Sequence, residues 1–436
     1  MEKNVSQDSS IFSDRQVHLE PFGSRAFSVS LMVGLAALAV AVFLGVSVHD
    51  NMQTFLFGYL IAWCCLFGIA AGSLYFLMIH HAFRVYWSVV IRKLVEALAC
   101  NMVVVALLSV PILFGLHELY IWNHLAYMHS DPLLARKLSF LNEPFFLVRV
   151  FIYFVALTGM AFYLRSKSME QDQTGSIKPL QAMYKNSRWG MVMMFWIINF
   201  VGIDFIMSLD PKWYSYLMGG YFFAAVMVMA MAAIPLFTIW LQDNGRLEHA
   251  ITTEHYHDMG KWLYAWTIIW GYFAFCQYML TWYGNLPWET SFYVARMLGP
   301  WWIVTLALLF VHLIIPGFGL VSKHVKRNRS LLTFWCVWML VAEWLDFYWL
   351  IAPTLWINNR EAKTGYISPH DPYKLMGPAH GIVWLPLRAT AIEIDILCVV
   401  GLGGIFVASA LYFLRDRALM PLKDPKLAAS LAFENY

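Results

Sequence analysis

Charged side chains are scarce in this sequence. Only 13% of its 436 residues are Asp, Glu, Lys or Arg, whereas 60% are hydrophobic and 17% are aromatic. Soluble domains carry about 25% charged residues, so the composition excludes an ordinary soluble protein and is typical of an integral membrane protein. The formal net charge of +3 is too small to indicate a nucleic-acid partner.

Cysteine motifs for redox cofactors are absent as well. The sequence has six cysteines, and none of them forms a CxxC or CxxCH pattern, which argues against covalent c-type haem and against an iron–sulfur cluster. Only His312 lies well inside a hydrophobic segment, so the pattern also disfavours a bis-histidine haem b. We therefore expect the chain itself to bind no redox cofactor and no metal.

Ten hydrophobic segments are long enough to cross a bilayer, which takes about 20 apolar residues. They are residues 27–48, 53–81, 87–117, 143–165, 190–208, 216–241, 259–283, 297–318, 330–351 and 393–415. The predicted fold class is therefore an all-α integral membrane protein with a membrane domain over 27–415. Residues 1–26 form a polar tail without the short apolar region of a cleavable signal peptide, and residues 416–436 form a C-terminal tail.

The Lys and Arg residues predict the orientation of these segments. Most of them lie in the N-terminal tail, the even-numbered loops and the C-terminal tail, and segments 165–188 and 323–329 contribute most. Positively charged loops stay on the cytoplasmic side, so both termini are predicted to be cytoplasmic. The outer side then carries one long loop, 352–392, which is rich in Pro and Gly and has room for a partner.

Ionisable residues within the hydrophobic segments are the candidate functional groups, because a carboxylate in hydrocarbon costs roughly 2.5–3.5 kcal/mol or more. Their depths follow from the rise of 1.5 Å per helical residue. The predicted outer set comprises Asp204, Glu343 and Asp346, with Arg149 as a counter-charge. The predicted inner set comprises His80, His81, Arg92, Glu96 and His312. One set reachable from each side is what two proton half-channels need, with Ser208 and Tyr216 as candidate links.

Each of these groups also has a structural interpretation. Arg92 and Glu96 have i,i+4 spacing, which suits a salt bridge between neighbouring turns. In this interpretation, the two histidines at 80–81 lie at the membrane interface, and Asp346 is exposed to water near the surface. Asp204 and Glu343 suit hydrogen-bonded clamps between helices. The sequence leaves these alternatives open beside the relay.

Two local patterns predict helix packing. The stretch GIAAG (68–72) has small residues four apart, which favours close contact with another helix. The dipeptide FW occurs at 195–196 and at 334–335, and an acid follows eight residues after each Trp, Asp204 in one case and Glu343 in the other. Corresponding helices in an internal repeat would explain this echo, and so would chance in a Trp-rich sequence.

A longer motif carries a family resemblance. Residues 204–224, DFIMSLDPKWYSYLMGGYFFA, resemble the ActF family of membrane subunits from bacterial alternative complex III, within the NrfD or polysulfide-reductase superfamily. The ten-segment plan, the polar N-terminal tail and HDPYKLMGPAH (370–380) in the long outer loop are similar too. The likeness covers about 27–415, and its most specific part is the 204–224 motif.

The resemblance implies a fold of two adjacent four-helix bundles plus two peripheral helices, in the bacterial inner membrane. It implies a subunit of a respiratory complex that oxidises quinol and passes electrons to cytochrome c or directly to a terminal oxidase. The implied partners are an NrfD-like quinol subunit, an iron–sulfur protein, and multihaem and monohaem cytochromes c, which hold the quinol, the iron–sulfur clusters and the haem c. Candidate proton-path residues that match are Asp204, Glu343 and Asp346 outward, with Glu96 and His312 inward.

Three functions remain open at this point. The first is a proton-conducting and scaffolding subunit of such a complex. The second is a quinol-binding catalytic subunit of the same superfamily, in which a carboxylate or histidine near the outer surface accepts the proton from quinol. The third is a free-standing secondary transporter, which is disfavoured because the sequence lacks Gly- or Pro-broken helices in matched halves.

Overall fold

A computed structural model describes residues 13–48, 52–297, 301–364, 391–415 and 417–435. Within these ranges the secondary structure is helical apart from one isolated β-bridge. The long helices are named α1 to α10 in chain order. They are Phe22–Ser47, Met52–Ala82, Trp87–Phe114, Glu143–Thr174, Ile177–Leu209, Met218–Asp243, Thr253–Gly284, Trp301–Gly319, Arg329–Thr364 and Ile392–Leu414.

Nine of these helices, all except α7, are long and apolar enough to cross a membrane in the described part of the chain. This confirms the prediction of an all-α, multi-pass membrane protein. Helix α7 contains the seventh predicted segment, 259–283, and is helical throughout. It is rich in Trp and Tyr, whose hydropathy is lower than that of aliphatic residues, so ten crossings remain a prediction.

Two helix ends differ from the predicted boundaries. Helix α1 begins at Phe22, before the predicted tail boundary at 26. Helix α9 continues to Thr364, past the predicted start of the outer loop at 352. Pro353 lies inside α9 and cannot donate a hydrogen bond to the carbonyl four residues earlier. Arg296 Nε donates to that carbonyl, Trp349 O, at 3.0 Å, which helps the helix to pass the proline.

The rest of the predicted outer loop, including HDPYKLMGPAH, lies outside the described residues. The structure therefore does not test the docking role predicted for it.

The helices pack as two neighbouring groups around a shared centre. Helices α2, α3, α4 and α5 contact one another in one group, and α6, α7, α8 and α9 do so in the other. Helices α2 and α6 are the most deeply buried and pack against each other between the groups. Helix α1 packs along α10, which in turn contacts α2 and α3.

The predicted close contact at GIAAG is confirmed. A Cβ added at Gly72 would overlap Val226 O and would lie 2.6 Å from Ala230 Cβ, both on α6. Gly68 faces Met229 of the same helix. Glycine is therefore required at position 72 because the backbone of α6 occupies the space of a side chain.

We expect Gly72→Leu to separate α2 from α6 and to destabilise the protein by about 1–3 kcal/mol or more, because overpacking against a backbone cannot relax by rotamer change. The measurement is the unfolding temperature of the detergent-purified chain, and size-exclusion chromatography of the folded sample reports its homogeneity. The matched control is Gly159→Leu on α4, where no atom lies within 4 Å of an added Cβ. Equal unfolding temperatures for the two variants would contradict the packing argument.

The two terminal segments meet at one end of the helices. Leu419 N donates to Val17 O at 2.7 Å, and His18 forms the isolated bridge with Ala418. The α6–α7 loop joins them, since Leu247 N donates to Gln16 O at 3.1 Å. We call this end of the molecule the tail end.

Candidate functional site

Glu343 and Asp346 form a buried acid pair on α9. Both side chains are 0% exposed, and their i,i+3 spacing places them on one face of the helix, as predicted. The interpretation of Asp346 as a water-exposed residue is wrong, because Tyr221 of α6 and Trp270 of α7 cover it. Two carboxyl groups therefore share one enclosed space.

His312 completes this acid pair from α8. Its Nε2 lies 2.8 Å from Glu343 Oε1, and its ring stacks on Trp270 with centroids 3.5 Å apart. The histidine lies in a π-helical segment, Leu309–Ile314. Such local widening of a helix is frequent at functional sites, which adds a backbone feature to the side-chain cluster.

Two aromatic residues hold the second carboxyl group. Tyr221 OH donates to Asp346 Oδ1, and Trp270 Nε1 donates to Oδ2 at 3.2 Å. Trp270 therefore touches both His312 and Asp346. Sequence reasoning missed Tyr221 and Trp270, because nothing distinguishes them from the many other aromatic residues of the chain. We call His312, Glu343, Asp346, Tyr221 and Trp270 the α9 acid cluster.

The α9 acid cluster has the chemistry of a proton relay. Among the described residues no Lys or Arg forms an ion pair with Glu343 or Asp346, and two unpaired carboxylates in a dry space are costly. Such a pair shares protons rather than ionising fully. His312 Nδ1 and Glu343 Oε2 have no hydrogen-bond partner in the part of the chain that the structure describes. Within the cluster a proton can move between His312 Nε2 and Glu343 Oε1.

The placement of His312 corrects a sequence-based prediction. It was assigned to the inner set, yet it binds Glu343 of the outer set. His312 lies roughly 16 Å along α8 from Trp301, and Glu343 roughly 21 Å along α9 from Arg329, at 1.5 Å per residue. Because the two helices run in opposite directions, both positions fall near the middle and meet there.

Asp204 lies in a different environment. Arg149 binds both of its carboxylate oxygens, with Nε at 2.8 Å and Nη2 at 2.9 Å, and Tyr153 OH donates at 2.8 Å. The predicted counter-charge is confirmed. Both oxygens are occupied and the side chain is 0% exposed, so the geometry favours the clamp over the relay. Within the described ranges no hydrogen bond joins Asp204 to Glu343 or Asp346.

The two predicted links differ in position. Ser208 OH donates to the backbone carbonyl of Asp204 and accepts from Trp122 Nε1 at 3.3 Å, so it supports the clamp without touching the carboxylate. Tyr216 is 96% exposed. It lies in the turn before α6 begins at Met218, and its role as a link remains a prediction.

At the tail end, His80 lies beside a small cavity. Its Nδ1 contacts Phe76 O at 2.8 Å, and its Nε2 has no hydrogen-bond partner in the described ranges. The cavity has a volume of about 20 Å³ and is also lined by His81, Arg92 and Tyr184. That is room for one water molecule with polar neighbours. His80 is therefore placed to exchange a proton with water.

Arg92 and Glu96 belong to a larger ion-pair network. Their atoms Nε and Oε1 are 3.6 Å apart, which fits the predicted i,i+4 salt bridge. Arg92 binds Asp424 of the C-terminal segment more closely, with Nη1–Oδ2 at 2.5 Å. Lys93 binds Asp172 at 2.5 Å and lies 3.6 Å from Glu96. The sequence did not reveal Asp424, which the folding of the tail brings to α3.

The two helix groups place their acids in parallel ways. Asp204 on α5 pairs with a base on α4, and Glu343 on α9 pairs with a base on α8. Each acid lies eight residues after the Trp of an FW dipeptide. The repeated spacing in the sequence therefore corresponds to two similar acid–base pairs in the structure. The bases differ, because Arg149 keeps its charge whereas His312 can lose its proton. One site suits a permanent clamp and the other suits proton exchange.

Among the described residues, no three His, Cys, Asp or Glu side chains are grouped closely enough to hold a metal ion. A scan against protein-family models finds no matching family, and a search of curated proteins finds no match. The residues and geometry of the chain itself are therefore the basis for assigning its function.

Proposed function

We propose that the protein is a cofactor-free membrane subunit of a quinol:acceptor oxidoreductase of the alternative complex III type, in which it supports assembly and translocates protons. The observation that carries the proton-translocating role is the α9 acid cluster, where two buried carboxyl groups meet a histidine and no Lys or Arg of the described residues pairs with them. The ActF-like segment 204–224 supports the assignment to a quinol-oxidising complex.

The proposed path has a central site that holds the proton and two half-channels that lead to it. Glu343 and Asp346 hold the proton near the middle of the helices, and His312 exchanges it with Glu343 across 2.8 Å. At the tail end, His80 and Glu96 form the polar entrance to the inner half-channel, with water in the cavity beside His80. In this proposal, water molecules complete both half-channels.

In the proposed fold, helices α2–α5 form one four-helix bundle and helices α6–α9 form the other. Helices α1 and α10 lie at the periphery. The contact between the terminal segments at the tail end supports ten crossings, because an even number returns the chain to its starting side. Helix α7 would then be the seventh crossing. In the proposed orientation the tail end faces the cytoplasm of a bacterial cell and the helices span its inner membrane.

The proposal predicts that the tagged full-length chain, purified from its native membranes in mild detergent, carries haem-bearing and iron–sulfur partners. Separated from them, it should show no haem absorbance and no iron. Absorbance spectroscopy, iron analysis and identification of the co-purifying proteins by mass spectrometry measure this.

Other results of that purification distinguish the alternatives. A chain that purifies alone as a stable monomer and catalyses proton-coupled uptake in liposomes would be a transporter. A chain that retains stoichiometric quinone after separation from its partners would be the quinol-binding subunit. Stoichiometric haem b in the isolated chain would make it a redox subunit. Each of these results contradicts the proposed role.

A further inference from the structure

A second site lies at the tail end, away from the α9 acid cluster. Helices α4 and α10 both pack against α3, and a cleft of about 850 Å³ lies between them with α3 as its floor. Among the described residues, five basic side chains and two acidic ones, Glu96 and Asp172, line it. The basic residues are Lys93, Arg165, Arg415, Arg417 and Lys423.

Basic side chains outnumber acidic ones in the described lining of this basic cleft, and some of them already have partners. Arg165 Nη2 donates to Phe413 O at 2.5 Å, and Lys423 Nζ donates to Gln173 O at 2.7 Å. Lys93 already binds Asp172 at 2.5 Å and lies 3.6 Å from Glu96. Arg417 forms no ion pair with a carboxylate in the described part of the chain. Burial and the neighbouring guanidinium of Arg165 lower the pKa of Arg417. An anion between the two guanidinium groups would relieve their repulsion.

The rest of the basic cleft is apolar. Its lining includes Phe162, Met169, Tyr412 and Leu422. Two of these, Phe162 and Tyr412, are exposed at the surface of the helix bundle, on two candidate membrane spans. A ligand that fits both parts has a negatively charged head and an apolar body. A soluble anion would use only the basic part.

We propose that the basic cleft binds the phosphate headgroup of an anionic glycerophospholipid, whose acyl chains follow the crevice between α4 and α10. Guanidinium groups bind phosphate oxygens in pairs of parallel hydrogen bonds, and basic pockets at the cytoplasmic ends of membrane helices suit such headgroups. This proposal does not depend on the proton-translocating role.

The test uses the full chain, purified in detergent and incubated with dioleoylphosphatidylglycerol or dioleoylphosphatidylcholine. Native mass spectrometry counts the retained lipids, and a titration gives their affinities. We expect the wild-type chain to retain phosphatidylglycerol in preference to phosphatidylcholine. Arg417→Gln combined with Lys423→Gln should weaken phosphatidylglycerol binding roughly tenfold or more, because each basic side chain contributes attraction to the headgroup.

The matched control is Lys185→Gln combined with Arg188→Gln, which removes the same charge from exposed positions on α5. It should leave lipid binding unchanged. Equal retention of the two lipids by the wild type, or equal losses in the two double variants, would overturn the proposal. A third arm adds inorganic phosphate at constant ionic strength. Full displacement of the lipid by inorganic phosphate would assign the site to a soluble anion instead.

Discussion

Glu343→Gln is expected to stop proton translocation by the proposed quinol-oxidising complex while its subunits still assemble. Glutamine keeps the shape of the side chain and can still hydrogen-bond His312 at the 2.8 Å contact, but it cannot take up and release a proton. Positioned acid–base groups contribute roughly 10²–10⁴-fold to proton transfer, so the rate of proton translocation should fall at least about a hundredfold. The measurement is quinol-driven proton translocation by the complex in liposomes, counted beyond the protons that quinol oxidation itself releases.

Two observations make this prediction specific. Glu118→Gln removes an exposed carboxylate and should leave proton translocation unchanged. A buried carboxylic acid also gives a carbonyl-stretch band in infrared spectra, and Glu343→Gln should remove that band from the purified chain irrespective of its partners. Normal proton translocation by an assembled Glu343→Gln complex would exclude Glu343 from the path.

Asp204→Leu is expected to have the second large effect, which is loss of folded protein. The substitution leaves the Arg149 guanidinium buried without the carboxylate that now binds it at 2.8 and 2.9 Å. Breaking a buried ion pair on one side costs about 3–5 kcal/mol. Thermal unfolding of the purified chain should show this loss, and Arg149→Met combined with Asp204→Leu should recover most of the stability.

The control for this second prediction is Asp243→Leu, which removes the carboxylate of the Arg329–Asp243 ion pair at the protein surface. Exposed pairs contribute about 0–1 kcal/mol, so little stability should be lost. Asp204→Asn separates the clamp from the relay. If that variant folded normally and stopped proton translocation as completely as Glu343→Gln, Asp204 would belong to the proton path.

The parallel positions of Asp204 and Glu343 explain why sequence reasoning treated them alike. Both follow an FW dipeptide at the same distance, and both lie deep in apolar helices. Their roles diverge because α4 supplies Arg149 and α8 supplies His312. A permanent cation stabilises a fixed carboxylate, whereas an imidazole can exchange protons with its neighbour.

The sequence by itself determined the membrane class, the approximate positions of the helices and the close contact at GIAAG. These properties are local, since hydropathy depends on composition and the small residues of one segment allow another helix to approach it. Only the tertiary structure decided which groups meet. The partners of an acid depend on how each helix is rotated and which neighbour it faces, and both follow from packing over the whole chain. Tyr221, Trp270 and Asp424 therefore became visible as partners of the buried ionisable groups only in the folded protein.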